Sequence, residues 1–489
     1  MNKLCLSLGL VALMFSLGCG SSNSGPTPTG NFTLASLNGS YVYQMSGFDL
    51  VTGNPYTRMG VFNANGAGVV TGGNDIFTEG AGVTSLGLSG TYSISNDGTG
   101  TVTFTFSTGN SLQWVFTLQS SSKLYLVETT STGTFTGYGV GLIQSSTTAP
   151  TGTYVFKAHV STVGATVTPT AMVGAVDTTG GAFNGSADTN TLGVGLIAAA
   201  PVTGSLVAPD STGLGTGSVT INSIVNTFSY YVVDTSHIQI LFTTSLSEGL
   251  GSAEAQTGTF SNATLSGSYA FGSRGDTVNN LLGVHTVGVF TADGGGNITP
   301  FNFDAQSDGV LTSNGSFSGN TYIVGSNGRT VVTLNSGAAQ QIYWLINGTR
   351  AFFINTDSNS AVNGTADLQT GSSFSNGSTN GQFAFVNDGV TLSGNPLLIA
   401  NTLDRVATLQ WNGSGGLTLN EFINLTGSTS TPGFLNGSYS TSSNGRVTGK
   451  INGATNSINL VFYLVSGNQA YVLQTDANFE VDGFTQLQQ

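Results

Sequence analysis

Four acidic residues recur along the chain at a nearly constant spacing. They are Asp75, Asp188, Asp304 and Glu421, separated by 113, 116 and 117 residues. Only 23 of the 489 residues are Asp or Glu, so a repeated acid stands out. Such a carboxylate could accept hydrogen bonds from a ligand hydroxyl or amine at a barrel mouth. The alternative, which the sequence favours, is a turn acid that binds neighbouring backbone amides.

A second repeated set consists of threonines. They are Thr129, Thr243, Thr356 and Thr475, and each follows Tyr125, Gln239, Phe352 or Tyr471 by four residues. Because side chains alternate along a strand, each threonine shares a face with that earlier residue. An inward face would give a small-ligand pocket aromatic and hydroxyl groups together. The alternative is a lumen filled by its own side chains, as in many small eight-stranded barrels.

Catalytic and metal-binding patterns are absent from the sequence. We find no GxSxG, P-loop, GxGxxG or HExxH motif. The histidines, which have no shared repeat position, are His159, His237 and His285. Asp75 with Glu79, or Asp304 with Asp308, could pair as general acid and base on a polysaccharide, but the other repeats lack the second acid. We therefore expect no enzyme, no cofactor and no metal site.

The N-terminus carries an export signal. Lys3 precedes an apolar run from Leu4 to Phe15, and Gly18-Cys19 follows. This pattern resembles a bacterial lipoprotein signal peptide, although Ser16 departs from the usual leucine. The resemblance implies removal of residues 1–18 and lipidation of Cys19. The Gly, Ser, Thr and Pro residues that follow predict a flexible tether, so residues 19–30 are the lipid anchor and tether. The resemblance places the protein in the bacterial cell envelope as a membrane-anchored lipoprotein, at the outer membrane and periplasm or at the cell surface. An ordinary secretory signal is the alternative.

Composition narrows the class of protein. The formal net charge is −13, with only 10 Lys and Arg residues, which argues against nucleic-acid binding. Aromatic residues make up 10% and charged residues 7%, the reverse of a disordered chain. No segment after the leader reaches eighteen consecutive apolar residues, so we expect no transmembrane helix.

The chain is a four-fold tandem repeat. Each repeat opens with an aromatic strand anchored at Tyr41, Tyr154, Tyr269 or Phe383, and these anchors are 113, 115 and 114 residues apart. Each repeat closes with a glutamine: Gln144, Gln256, Gln369 or Gln488. We assign the repeats to residues 31–145, 146–258, 259–371 and 372–489. They resemble uncharacterised tandem β-repeats of secreted bacterial proteins, which brings no known activity.

Each repeat contains about eight apolar alternating segments, separated by Gly, Asn or Asp turns such as Asn96-Asp97-Gly98. The turns leave no room for parallel crossovers. We therefore predict an all-β chain of four antiparallel meanders, each closing into an up-and-down barrel, with a topology similar to lipocalin or avidin barrels. Immunoglobulin-like sandwiches are the alternative.

These features predict a non-enzymatic envelope lipoprotein, with the barrels strung as a structural or adhesive stalk. The alternative is a barrel protein that binds a small ligand or a glycan. The expected partners are a membrane, through the N-terminal lipid, and a surface polymer, a glycan or a small apolar ligand, but not nucleic acid.

Overall fold

The computed structural model describes residues 30–489 except 81, 130–133, 163–166, 245–246, 280–281, 372, 395–396 and 454–456, and the side chains of residues 431 and 432. The predicted signal peptide, Cys19 and the tether up to residue 29 lie outside the described residues. Within the described part, the chain is built from β-strands and four single-turn 3-10 helices. No helix there has the length and apolarity to cross a membrane.

The first two repeats form closed antiparallel barrels of eight strands. Barrel 1 contains β1 (Asn38–Asp49), β2 (Pro55–Asn65), β3 (Val69–Glu79), β4 (Gly82–Ile94), β5 (Thr99–Phe106), β6 (Ser111–Ser120), β7 (Lys123–Glu128) and β8 (Phe135–Ile143). Barrel 2 contains β9 (Thr153–Thr162), β10 (Pro169–Asp177), β11 (Ala182–Thr191), β12 (Gly195–Leu206), β13 (Leu214–Ile221), β14 (Ile224–Val232), β15 (His237–Thr244) and β16 (Ser247–Ala255). Each barrel closes by pairing its first strand with its last.

The last two repeats follow the same plan. Barrel 3 contains β17 (Ser266–Thr277), β18 (Gly283–Asp293), β19 (Asn297–Ser307), β20 (Val310–Phe317), β21 (Asn320–Val324), β22 (Arg329–Leu334), β23 (Ala339–Asn347), β24 (Arg350–Asn355) and β25 (Ser360–Leu368). Barrel 4 contains β26 (Asn380–Ser393), β27 (Leu398–Asn412), β28 (Gly416–Leu425), β29 (Ser428–Thr441), β30 (Arg446–Asn452), β31 (Ser457–Ser466), β32 (Gln469–Gln474) and β33 (Phe479–Leu487). In barrel 3 the fourth strand is broken into β20 and β21, and the ring still closes because β19 pairs with both β18 and β21.

The single-turn helices are Leu34–Ser36, Asn262–Thr264, Asn335–Gly337 and Asn376–Ser378. Three of them lead into the first strand of barrels 1, 3 and 4. The predicted all-β, up-and-down barrel architecture is confirmed, and the sandwich alternative does not occur.

Alternation along the strands explains how each barrel forms. In β1, Tyr41 and Tyr43 point into the lumen, while Val42 between them belongs to a core shared with barrel 2. The lumens are filled by large side chains. In barrel 1, Tyr43 and Phe104 each meet Trp114 edge to face, at centroid distances of 4.8 and 4.7 Å. Barrel 2 has no Trp in its lumen and encloses an apolar cavity of about 60 Å³.

The four barrels pack as a closed ring. Each barrel shares an apolar core with the next. Val61 and Ile76 of barrel 1 pack with Leu241 of barrel 2, and Val173 of barrel 2 packs with Phe352 of barrel 3. Val289 of barrel 3 packs with Tyr471 of barrel 4, and Val406 of barrel 4 packs with Val127 of barrel 1, which closes the ring. This arrangement corrects the expected stalk. Because some strands carry apolar residues on both faces, part of the outer surface of each barrel must also be buried, against a neighbouring barrel.

Candidate functional site: the joints between barrels

The closing glutamine of each repeat binds the next barrel. Its amide Nε2 donates to a backbone carbonyl of the sixth strand there: Gln144 to Val232 (2.7 Å), Gln256 to Leu345 (2.7 Å), Gln369 to Leu464 (2.6 Å) and Gln488 to Leu118 (2.6 Å). The last of these bonds runs from barrel 4 back to barrel 1. The same amides also donate to the carbonyls of Thr212, Asn327, Asn444 and Asp97 in the turn before the fifth strand. The repeat marker is thus a joint used four times, the fourth time to close the ring.

Each glutamine amide lies over a glycine that has a positive φ. These glycines are Gly213, Gly328, Gly445 and Gly98, with φ between 83° and 88°. A methyl group on Gly328 would lie 2.7 Å from Nε2 of Gln256. The hairpin glycine therefore has two functions. It adopts the positive φ that the turn requires, and its lack of a side chain leaves room for the glutamine amide of the neighbouring repeat.

We expect Gly328→Ala to destabilise the protein by about 2–3 kcal/mol, because it adds left-handed strain and displaces the Gln256 amide. Gly109→Ala is the matched control, since Gly109 has φ of +87° and nothing within 4 Å of a new methyl group. The control should lose only about 1–2 kcal/mol from strain. Urea unfolding measures both variants, and equal losses would contradict a role for the glycine in the joint.

The four recurring acids do not share one environment. The side chains of Asp188 and Asp304 lie outside their barrels and bind the next barrel, whereas those of Asp75 and Glu421 lie inside the lumens of barrels 1 and 4. Strand pairing explains the difference. Asp188 pairs with Val173, and Asp304 pairs with Val287. The equivalent pair in barrel 1 is Ile76 with Met59, so the residue of barrel 1 that corresponds to Asp188 and Asp304 is Ile76. Asp75 is therefore displaced by one residue from this equivalent position. Because side chains alternate along a strand, a displacement of one residue turns the side chain from the outer face to the lumen.

Asp188 is fully buried at the joint between barrels 2 and 3. Arg329 donates to it from Nε (2.9 Å) and Nη2 (2.6 Å), and Trp344 from its indole Nε1 (2.8 Å). The backbone N–H of Ala199 adds a fourth bond at 2.9 Å. A carboxylate that accepts four hydrogen bonds from a guanidinium, an indole and an amide is fully used within the protein.

Asp304 repeats this arrangement between barrels 3 and 4. Arg446 donates from Nε and Nη2, both at 2.7 Å, and Tyr463 from its hydroxyl at 2.8 Å. Burial opposes ionisation, but the bonds from Arg446, from the backbone N–H of Asn314 and from Tyr463 hold the pKa of Asp304 below its ordinary value. At the joint between barrels 1 and 2, Ile76 and Leu214 supply apolar contacts instead.

The lumen of barrel 1 contains a second kind of charge cluster. Arg58 lies 3.3 Å from Asp75, which also accepts a hydrogen bond of 2.5 Å from Tyr43. Glu128, also buried, accepts a hydrogen bond of 2.6 Å from Tyr56. Burial raises the pKa of Asp75 and of Glu128, and the positive charge of Arg58 offsets only part of that rise.

Barrel 4 contains the corresponding pair in its lumen. Arg405 binds Glu421 at 2.7 Å, and both side chains are almost fully buried. Burial raises the pKa of Glu421, with Arg405 lowering it in part. The predicted acids are thus partners of arginines in all four repeats, and none of them lies in a turn.

The threonine set lies on the outer faces rather than in the lumens. The aromatic residues on the same strand faces, Tyr125, Phe352 and Tyr471, belong to the cores between barrels. Thr129 and Thr356 donate to the backbone carbonyls of Gln113 (3.3 Å) and Gln340 (3.1 Å). Thr243 pairs with Glu248 and is half-buried, as is Thr475. Ligand binding by the acids and threonines stays a prediction.

A third cluster lies where barrels 1, 3 and 4 meet. Arg274 binds Asp388 at 2.6 Å and Asp482 at 3.5 Å and donates to the hydroxyl of Tyr138. Asp482 also binds His285 at 2.5 Å. Burial raises the pKa of Asp388 to about 6, against the opposing charge of Arg274. One arginine therefore joins three barrels.

All six arginines of the described chain form ion pairs with carboxylates. Lys123 and Lys157 lie 5.0 Å from the ring centroids of Tyr125 and Phe352. Lys450 is exposed, and we find no partner for its ammonium among the described residues. The same part of the chain contains no group of three or more His, Cys, Asp or Glu side chains that could hold a metal ion.

Sequence reasoning missed the arginine partners and the function of the glutamines. A signal was present, because the closing glutamine and the glycine of the turn before the fifth strand recur at corresponding positions in all four repeats. A pair that recurs in this way without a catalytic motif suggests a structural contact.

The fold and the joints together define a ring of four up-and-down barrels. The ring is stabilised by the hydrogen bonds of the four closing glutamines and by buried ion pairs between barrels. No family model matches the sequence, and no curated protein matches it. Among solved structures, the chain has 12% identity and a TM-score of 0.22 with a mutant transferrin-binding protein B from Haemophilus parasuis, over 75% of this chain and 84% of that one.

Two further structures of transferrin-binding protein B, the intact Ap-TbpB with N and C lobes and the isotype 1 protein from serogroup B Neisseria meningitidis, each match with 9% identity and a TM-score of 0.20 over 75% of this chain and 84% of theirs. At such TM-scores the overall arrangements of the chains differ.

Proposed function

We propose that this protein is a non-enzymatic lipoprotein of the bacterial cell envelope, whose four-barrel ring serves as a rigid structural or adhesive scaffold. The observation that carries the proposal is ring closure, because Gln488 of barrel 4 binds barrel 1 through the same contacts that join consecutive barrels. A closed ring holds its outer surfaces at fixed separations. Such fixed spacing favours several weak contacts with one surface at once.

The internal organisation supports the same role. The recurring acids bind arginines of the protein itself, and the lumens of barrels 1, 3 and 4 are packed with aromatic rings. Stability and shape account for these side chains, and the solvent-facing surface remains for binding. Cys19, which lies outside the described residues, would supply the membrane anchor through its acyl chains.

Anchoring is tested by labelling cells that express the full chain with a radioactive fatty acid. We expect the label in the wild-type protein and in Cys5→Ala, and its loss in Cys19→Ala, with the protein moving from the membrane fraction to the soluble envelope fraction. Cys5→Ala is the matched control, because Cys5 lies in the predicted leader. Equal labelling of the wild type and Cys19→Ala would overturn the lipoprotein proposal.

The scaffold role is tested by adhesion of the same cells to immobilised envelope polysaccharide. Expression of the wild-type chain should increase retention under flow, and Gly328→Ala, which weakens one joint, should reduce it at equal surface amounts. Unchanged retention upon expression, together with turnover of the polysaccharide by purified protein, would replace the scaffold with an enzyme.

A second candidate function is the carriage of a small apolar ligand in barrel 2. The supporting observation is the 60 Å³ cavity, which is lined by Phe156, Phe183, Phe228 and Phe242 among others. Drug-sized ligands need about 300 Å³ or more, so the occupant would be no larger than a few heavy atoms. Xenon binding measured by NMR tests this role, and the absence of a xenon-induced shift would exclude it.

A further inference from the structure

A groove of about 450 Å³ lies beside the joint between barrel 3 and barrel 4. One wall is the exposed strand β20, through Leu311 and Ser313, and the other is the outer face of β29, β30 and β31. The volume falls within the usual range of ligand sites, roughly 300–1,000 Å³. The groove therefore has the size of a binding site for a molecule of several sugar units at most.

Five Ser and Thr residues line the groove. They are Ser438, Ser440, Thr448 and Thr475 on barrel 4 and Ser313 on barrel 3. For the four hydroxyls on barrel 4 we find no hydrogen-bond partner among the described residues, so they remain available to a ligand. Thr475 is one of the residues singled out in the sequence. A hydroxyl can donate and accept, which suits the hydroxyl groups of a saccharide.

Two cationic side chains, Arg446 and Lys450, line the groove, and only one of them is free to bind a ligand. The charge of Arg446 is already neutralised by Asp304, at 2.7 Å. Lys450 is exposed and unpaired in the described chain, which carries a strongly negative formal charge. The neighbouring carboxylate of Asp476 accepts hydrogen bonds from Asn459 and Gln474. The available positive charge is thus that of Lys450.

This lysine is specific to barrel 4. Lys450 is the fifth residue of its strand and pairs with Asn459, and the corresponding residues of the other fifth strands are Thr103, Ser218 and Thr333. The repeats thus provide three similar positions without a cation, which serve as internal comparisons.

We propose that this groove binds an acidic saccharide, with the ammonium of Lys450 pairing with a sugar carboxylate and the Ser and Thr hydroxyls binding the sugar hydroxyls. The ion pair is exposed, so its contribution is modest and falls as salt screens it. The inference deepens the binding role proposed above and identifies the class of polymer that the ring would hold.

Titration calorimetry on the full chain in detergent, with oligogalacturonate as the probe, tests the proposal. We expect Lys450→Gln to weaken binding about three- to fivefold, and methyl esterification of the probe to weaken binding of the wild type to the same extent. The two changes together should add little, because they remove the same contact. Thr475→Val should also weaken binding of the acidic and the esterified probe alike.

A charge-restored variant separates position from overall charge. Lys450→Gln combined with Ser218→Lys has the net charge of the wild type but carries the lysine on barrel 2, and we expect it to bind as weakly as Lys450→Gln alone. Recovery of binding in this variant, or equal binding by wild type and Lys450→Gln, would overturn the proposal. A failure of lipid labelling at Cys19 leaves these measurements unaffected, so the two proposals fail separately.

Discussion

Replacement of Asp188 by alanine is expected to destabilise the protein by about 3–5 kcal/mol, the usual loss when one partner of a buried ion pair is removed. The variant leaves the guanidinium of Arg329 and the indole N–H of Trp344 without their acceptor at the joint between barrels 2 and 3. Trp344 is itself buried and lies beside the changed carboxylate, and it is one of three tryptophans whose fluorescence follows the urea unfolding of the variant.

The chain contains an apolar version of the same joint, which supplies the control. Ile76 and Leu214 join barrels 1 and 2 at the positions where barrels 2 and 3 have Asp188 and Arg329. Asp188→Ile with Arg329→Leu should therefore recover most of the loss, leaving about 1–3 kcal/mol for the unpaired indole N–H. A loss below about 1 kcal/mol in Asp188→Ala, or no recovery in the double variant, would refute the importance of this ion pair.

Replacement of Arg58 by methionine is the second large effect that we expect, again about 3–5 kcal/mol at pH 7. The side chains of Arg58 and Asp75 are 7% and 2% exposed, and the variant leaves Asp75 and Glu128 in the lumen of barrel 1 without a cation. Methionine fills the space beside Phe77, whose ring centroid lies 4.9 Å from the guanidinium carbon. The loss is therefore electrostatic rather than a cavity effect.

The loss in Arg58→Met should increase with pH. Burial raises the pKa of both carboxyls above the ordinary 3.8 and 4.5, so the folded state holds these protons more tightly than the unfolded state. The contribution of Asp75 and Glu128 to the free energy of unfolding therefore falls as pH rises from their ordinary pKa values to their raised pKa values in the folded state. Removal of Arg58 raises both pKa values further and extends the fall to higher pH. The deficit relative to wild type should be small near pH 4 and largest at pH 8.

Unfolding curves at pH 4, 6 and 8, followed through tryptophan fluorescence, to which Trp114 in the same lumen contributes, measure this dependence. Addition of Asp75→Asn to Arg58→Met should reduce the deficit at pH 8, because it removes one of the two uncompensated charges. Lys450→Gln, which removes an exposed cation, is the control and should unfold like the wild type. A deficit that does not vary with pH would contradict the electrostatic origin.

The barrels themselves could be predicted because their causes are local. The alternation of Tyr41, Val42 and Tyr43 has the period of a strand, and Asn-Asp-Gly at 96–98 specifies a hairpin without reference to anything distant. The aromatic alternation and a glycine in the turn before the fifth strand occur in all four repeats, which indicates that one architecture recurs. The function of the acids was not predictable in this way. Spacings of 113, 116 and 117 residues suggest equivalence, but one residue of offset places Asp75 in a lumen and Asp188 in a joint.

The amino-acid sequence by itself determined the strands, the turns and the antiparallel hairpins between consecutive strands, since each depends on residues near one another in the chain. Barrel closure, which pairs Tyr41 with Ile143, was predicted from the number of strands in each repeat. The tertiary structure decided that the barrels form a ring rather than a stalk, which arginine neutralises each acid, and that Gln488 meets barrel 1. Those outcomes depend on contacts between residues as far apart as Gln488 and Leu118, whose energies exist only once two folded barrels present complementary outer faces to each other.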